Sequence, residues 1–124
     1  MRHEVSQDPQ RFRSEVLALN NDNTPHVNAL SEEALDALIA QAASFRVMTN
    51  QDKTLSGFVL LLREGQAYES LNYRWFSETF EEFLYVDRII VAPDCRGEGV
   101  AQAVYDHAID LARAMGVENL TCEV

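Results

Sequence analysis

The stretch Ile89-Ile90-Val91-Ala92-Pro93-Asp94-Cys95-Arg96-Gly97-Glu98-Gly99-Val100-Ala101 sets two glycines and an arginine between an apolar run and an alanine-rich segment. Glycine lets backbone N–H groups approach a phosphate with no Cβ in the way. The first turn of a helix adds unpaired N–H donors and a partial positive charge. Arg96 adds a full charge near the same point, and a pyrophosphate suits that combination. Three kinds of site use such a turn. A P-loop needs a lysine and a Ser or Thr after its second glycine, where this chain has Val100 and Ala101. A dinucleotide fingerprint, Gly-x-Gly-x-x-Gly, fits Gly97 and Gly99 but meets Gln102 in place of the third glycine. It also belongs in an early βαβ unit, whereas this unit closes the chain. The third pattern, R-x-x-G-x-A, is met at Arg96, Gly99 and Ala101.

The elements that must position this turn follow from periodicity and punctuation. Residues 83–91 alternate as a strand, Ala92-Pro93-Asp94 stops it, and residues 99–115 form a helix with Val100, Val104, Ala108, Leu111 and Met115 on one face. Gly116 is its stop, and residues 118–124 read as a last strand. Upstream, residues 2–6 form a short first strand. Asp8-Pro9 is an N-cap and first helical position, with Phe12, Val16 and Leu19 at helical spacing behind it. Polar residues 20–25 end that helix. Ser31-Glu32-Glu33 opens a second helix whose buried stripe is Leu35, Leu38, Ile39 and Ala42. Residues 45–49 and 57–62 form an antiparallel hairpin around the turn Asn50-Gln51-Asp52-Lys53. Residues 64–82, with Tyr68, Tyr73, Trp75, Phe76 and Phe80, show no clean period and read as a functional loop with a short helical turn. The order is β-α-α-β-β-β-α-β, with a right-handed crossover in the last βαβ unit.

The bulk numbers fit one domain over residues 1–124 and one hydrophobic core. No apolar run has membrane-span length, and the start Met1-Arg2-His3-Glu4-Val5 has no secretory core, so neither membrane nor secretion is expected and the location is cytoplasmic. The net charge of −10, with Lys53 the one lysine, argues against nucleic-acid phosphates as partners and weakly favours a cationic or amine-bearing one. Cys95 and Cys122 make no disulfide framework, and with His3, His26 and His107 scattered no metal site is expected.

The R-x-x-G-x-A turn resembles the acyl-coenzyme A (acyl-CoA) motif of the GNAT acetyltransferases, usually written Q/R-x-x-G-x-G/A. An apolar strand ending in Val91, then Pro93, the turn, and an alanine-rich helix is that family's usual neighbourhood, and the two helices and hairpin before it match the family's order. The run Tyr85-Val86-Asp87-Arg88 and the end Thr121-Cys122-Glu123-Val124 are most similar to an uncharacterised subgroup. The resemblance implies an α/β, GNAT-like acyl-CoA N-acyltransferase fold, a mixed and mostly antiparallel sheet flanked by helices. It implies acetyl-CoA, or another short acyl-CoA, as cofactor, with no metal. The backbone of Ile89, Ile90 and Val91 would pair with the pantetheine amides, and the amides of Arg96, Gly97, Glu98, Gly99, Val100 and Ala101 would hold the pyrophosphate.

The reaction the resemblance implies is direct attack of a primary amine, from a small molecule or peptide, on the thioester. An amine with a pKa near ~10 is mostly protonated at neutral pH, so a base is needed. Asp87 is the candidate, a carboxylate whose parity neighbours are Phe83, Tyr85, Ile89 and Val91. Arg88 is not expected to pair with it, because adjacent strand residues point to opposite faces. The other reading of Asp87 is a carboxylate held by a distant arginine or a backbone amide. Glu81 and Glu82 are fallback bases, Cys95 is filler or a reactive thiol, and His107 is a packed histidine. Tyr73, Trp75 and Phe76 line an acceptor pocket or form satellite core packing.

The chain departs from the family in lacking the C-terminal helix and strands that usually follow the fifth strand, so it reads as C-terminally incomplete. Two functions of different class stand: an active acetyltransferase, or an acyl-CoA-binding module that is degenerate or regulatory. The open edge at residues 118–124 predicts a chain that dimerises through this region, borrows a segment from a partner or is marginally stable.

Overall fold

The computed structural model describes residues 4–6, 8–23, 27–66 and 71–122. Arg2, His3, Glu123 and Val124, expected in strands, Thr24 and Pro25, expected in a loop, and Tyr68 lie outside them. The strands are β1 (Glu4–Val5), β2 (Ser44–Thr49), β3 (Leu55–Arg63), β4 (Leu84–Val91) and β5 (Leu120–Cys122). The helices are α1 (Arg13–Asn21), α2 (Glu32–Gln41), α3 (Leu71–Thr79) and α4 (Val100–Met115). The sheet runs β1-β2-β3-β4-β5, antiparallel throughout except for the parallel β4–β5 pair. This is the expected mixed sheet and element order with one helix added, α3.

Each face of the sheet is covered by helices. On one, Val59 and Leu61 of β3 and Leu84 and Val86 of β4 pack with Val100, Val104, Ala108 and Ala112 of α4. The stripe on α4 steps by four residues to Ala112, so Leu111 is only partly buried and Met115 lies at the surface, unlike the face expected of them. Gly116 ends α4 with φ +71°, and the Val117 N–H returns to the Ala112 carbonyl at 2.9 Å, which satisfies a carbonyl the helix would leave open.

On the other face, Val16 and Leu19 of α1 and Leu35 and Leu38 of α2 meet Phe45, Val47, Phe58, Leu60 and Ile90. Burying a Val or Leu side chain contributes roughly 1.5–3 kcal/mol, so these two clusters carry most of the fold. Ser31 caps α2 by accepting from the Ala34 N–H at 3.1 Å. Asp8 makes no such cap: Pro9–Phe12 is a 3-10 turn that leads into α1, and the Asp8 N–H donates to Ser6 Oγ instead.

The added helix corrects the loop expected between β3 and β4. Tyr73, Phe76 and Phe80 recur at i, i+3 and i+7 and pack on Leu62, Phe83 and Tyr85. Trp75 faces outward on the same helix and breaks the pattern read from sequence.

Candidate functional site

The site is built around β4. Its register with β3 runs Gly57↔Val91, Phe58↔Ile90, Val59↔Ile89 and Leu60↔Arg88, then slips, so that Leu61 pairs with Val86. Asp87 is the extra residue, a β-bulge. The slip resets parity. Val86 and Ile89 both belong to the α4 face, while Arg88 and Ile90 face α1 and α2. Tyr85 belongs to the α3 cluster, so the expected row of Tyr85, Asp87, Ile89 and Val91 on one face does not exist.

The bulge also overturns the expectation that Arg88 cannot partner Asp87. Arg88 Nε donates to Asp87 Oδ2 at 3.0 Å, and both side chains are almost wholly buried. Arg88 Nη1 donates to Asn20 Oδ1 at 2.8 Å and to the Asn28 carbonyl at 3.3 Å. Asn20 Nδ2 donates to that same carbonyl at 3.0 Å, and Asn21 bonds both the N–H and the carbonyl of Leu30. The bulge is thereby tied to the connection between α1 and α2.

On its other edge β4 pairs with β5 only at Leu84, Tyr85 and Val86. Among the described residues, Ile89, Ile90 and Val91 have no ladder partner on that edge. Backbone N–H and C=O groups on a strand edge that no neighbouring strand takes are available to an extended ligand.

Beyond Val91 the chain makes a 3-10 turn at Pro93–Cys95 and reaches α4 through Gly97 and Gly99, each at φ +83°. That conformation strains any L side chain, and a Cβ at either glycine would meet nothing within 4 Å, so the space outside the turn is open. No side chain caps the first turn of α4. Gly97, Gly99, Ala101 and Arg96 are exposed, Glu98 is half-buried, and Val100 sends its side chain into the core. Arg96 Nη2 donates to Asn23 Oδ1 at 3.3 Å, a surface contact that an anion can compete with. Uncapped N–H groups, two left-handed glycines and an exposed guanidinium fit a pyrophosphate.

One contributor has no counterpart in the sequence reading. Gly57 lies under the start of α4: a Cβ there would stand 2.7 Å from the Ile90 carbonyl oxygen and 3.1 Å from Val100 Cγ1. Its signal was a glycine inside an apolar strand, which marks close approach of another segment.

The remaining candidates divide. Tyr73 is core, not acceptor lining: its ring lies 5.6 Å from those of Phe83 and Tyr85, and its hydroxyl donates to the Arg63 carbonyl and accepts from the Gln66 N–H. Phe76 is half-buried beside it, whereas Trp75 is 57% exposed. Glu81 and Glu82 are exposed. Cys95 is buried, and burial together with Asp94 and Glu98 pushes its thiol up, which removes it as a nucleophile. His107 packs with its Nε2 3.3 Å from Ser44 Oγ, away from the turn. Among the described residues no His, Cys, Asp or Glu cluster has the arrangement of a metal site, and no helix is long and apolar enough to cross a membrane.

The model of the acetyltransferase (GNAT) family matches residues 13–124. A search of curated proteins returns no match. Among solved structures, an acetyltransferase of Trypanosoma brucei is 18% identical with a TM-score of 0.66, covering 99% of this chain and 82% of its own. The aminoglycoside N-acetyltransferase AAC(6')-Iy in complex with CoA is 14% identical with a TM-score of 0.69, covering 99% and 77%. Naa20 of Chaetomium thermophilum in complex with a bisubstrate analogue is 17% identical with a TM-score of 0.69, covering 98% of this chain and 61% of its own. At these identities the likeness shows the fold.

Proposed function

Because this chain belongs to the GNAT acetyltransferase family, we propose that it is an acyl-CoA N-acyltransferase that moves an acetyl group from acetyl-CoA to a primary amine by direct attack. The observation that carries this reading is the pairing of two features on one strand. Among the described residues β4 has no β5 partner beyond Val86, and it runs through the glycine turn into the open, uncapped start of α4. The first suits an extended amide-bearing arm and the second its pyrophosphate.

In this reading the backbone of Ile89, Ile90 and Val91 pairs with the pantetheine amides, and the N–H groups of residues 96–101 with the Arg96 guanidinium hold the pyrophosphate. Acetyl-CoA supplies the thioester: the amine nitrogen bonds to its carbonyl carbon, the C–S bond breaks and the thiolate leaves. Asp87 takes the amine proton. Its place supports that role, since it lies on β4, the strand that leads into the start of α4. Trp75 and Phe76 remain for the acceptor. The coenzyme end works through backbone and one arginine, with no metal.

The acceptor class is a small-molecule or peptide amine, the chemistry the solved aminoglycoside N-acetyltransferase acts on in its own case. A net charge of −10 supports a cationic partner and disfavours nucleic acid. A cytoplasmic location, and association of two copies along β5, an edge strand among the described residues, complete the reading. Light scattering tests the association. Calorimetry with acetyl-CoA beside turnover of an amine panel tests the activity: binding with turnover supports it, binding with none reduces the chain to a coenzyme-binding module, and absent binding ends it.

A further inference from the structure

A buried arginine on an apolar sheet face is costly unless each of its donors has a use. Arg88 sits between Leu60 and Ile90 with 7% of its surface exposed. Nε is taken by Asp87, and both N–H groups of Nη1 by Asn20 and Asn28. Nη2 has two more N–H groups and makes no hydrogen bond among the described residues. Nor is it sealed away, since the one sealed and unpartnered side-chain N or O among the described residues is Ser56 Oγ. The guanidinium is therefore held at Nε and Nη1 and keeps donors to spare at its Nη2 edge.

Its place gives that edge a use. The bulge turns Arg88 to the α1–α2 face, opposite α4 and its glycine turn. Between the two faces lies β4, whose edge past Val86 has no β5 partner among the described residues. If acetyl-CoA reaches this edge from the α4 side, as the reading above holds and on which this step rests, an acceptor arriving from the α1–α2 side meets Arg88 beside Asp87.

We infer that Arg88 is a specificity-determining residue whose Nη2 donates to a carbonyl-type oxygen carried by the acceptor next to its amine. The acceptor class narrows to amines with a neighbouring carbonyl, as in an aminoacyl group. Asp87 already balances the guanidinium charge, so a neutral amide oxygen serves at least as well as a carboxylate. The side chain is held before the ligand arrives, so little rotamer freedom is lost when the new bond forms.

The test is an NMR titration of the 124-residue chain, with and without CoA, using glycinamide, glycine and ethylamine as probes. Glycinamide should bind about tenfold tighter than ethylamine and move the Arg88 guanidinium resonances. Glycine separates the sources of the oxygen: equal or weaker binding fits a neutral carbonyl, while markedly tighter binding overturns that choice. Arg88→Ala strands the Asp87 charge and is expected to unfold, so the variant is Arg88→Lys, checked by its melt. It should lose the preference for glycinamide and keep acetyl-CoA affinity. Equal binding of the two amines by the wild type, or an undiminished preference in folded Arg88→Lys, overturns the inference. Failure of the wild type to bind acetyl-CoA, with the amine preference intact, would instead count against the acyltransfer reading.

Discussion

A side-chain carbon at Gly57 would stand 2.7 Å from the backbone oxygen of Ile90, so β3 carries a glycine where it passes beneath β4 and the first residue of α4. The near atom is backbone, which cannot swing aside. Gly57→Ala should therefore destabilise the protein by roughly 1–3 kcal/mol, the usual cost of overpacking. It should also shift the start of α4, and with it the N–H groups proposed for the pyrophosphate. A melt and an acetyl-CoA titration check this together, and a variant with unchanged melting and affinity would show that the contact relaxes freely.

Gly99→Val should weaken acetyl-CoA binding by about tenfold or more. The left-handed backbone complicates the reading, because a side chain there costs roughly 1–2 kcal/mol whatever it touches. Gly65 supplies the control. It has φ +84° and equally open surroundings, and lies at the end of β3 away from the turn. Gly65→Val should lower the melting temperature similarly and leave affinity alone. Equal affinity losses in both variants would assign the effect to folding.

The glycine turn, the α2 start and the hairpin were legible because each rests on local chemistry: glycines between a strand and a helix, Ser31 as a cap with two acids behind it, and β-forming runs around a polar turn. Three features were not. A bulge leaves no compositional mark, and Val86-Asp87-Arg88-Ile89 reads as continuous strand although its parity breaks at Asp87. That single slip turned an excluded partner, Arg88, into the partner of Asp87. The helix α3 was hidden because Trp75 and Leu71, its large exposed residues, blur the i, i+3, i+7 spacing of Tyr73, Phe76 and Phe80. Gly57 was visible as a residue, but what it approaches is set by tertiary packing against Ile90 and Val100, which are distant in sequence.

Acidification should loosen the seat of α4 on β2. Burial, with a smaller push from Arg46, holds His107 below the ordinary imidazole value, while Asp110 opposes the shift. The folded state therefore favours neutral imidazole. As pH falls through about 6.5 the unfolded chain takes up the proton first, so stability drops until the lower folded value is passed. Melting temperatures at about pH 7.5 and about pH 5.5 should diverge more for the wild type than for His107→Gln. Equal divergence would mean that His107 adds nothing to the acid sensitivity.

Asp87→Asn separates the two roles open to that carboxylate. Asparagine keeps an oxygen to accept from Arg88 Nε, so the bulge and its ties to Asn20 and Asn28 should persist, though the uncompensated guanidinium lowers the melt. What asparagine cannot do is take a proton from the amine. If Asp87 is the base, turnover of the best amine in the panel falls by roughly 10²–10⁴-fold. Acetyl-CoA affinity should hardly move, because the phosphate turn begins beyond Val91. A variant that turns over at the wild-type rate, with only a lower melting temperature, would leave Asp87 as the strut of Arg88 and send the search for a base elsewhere in the cleft.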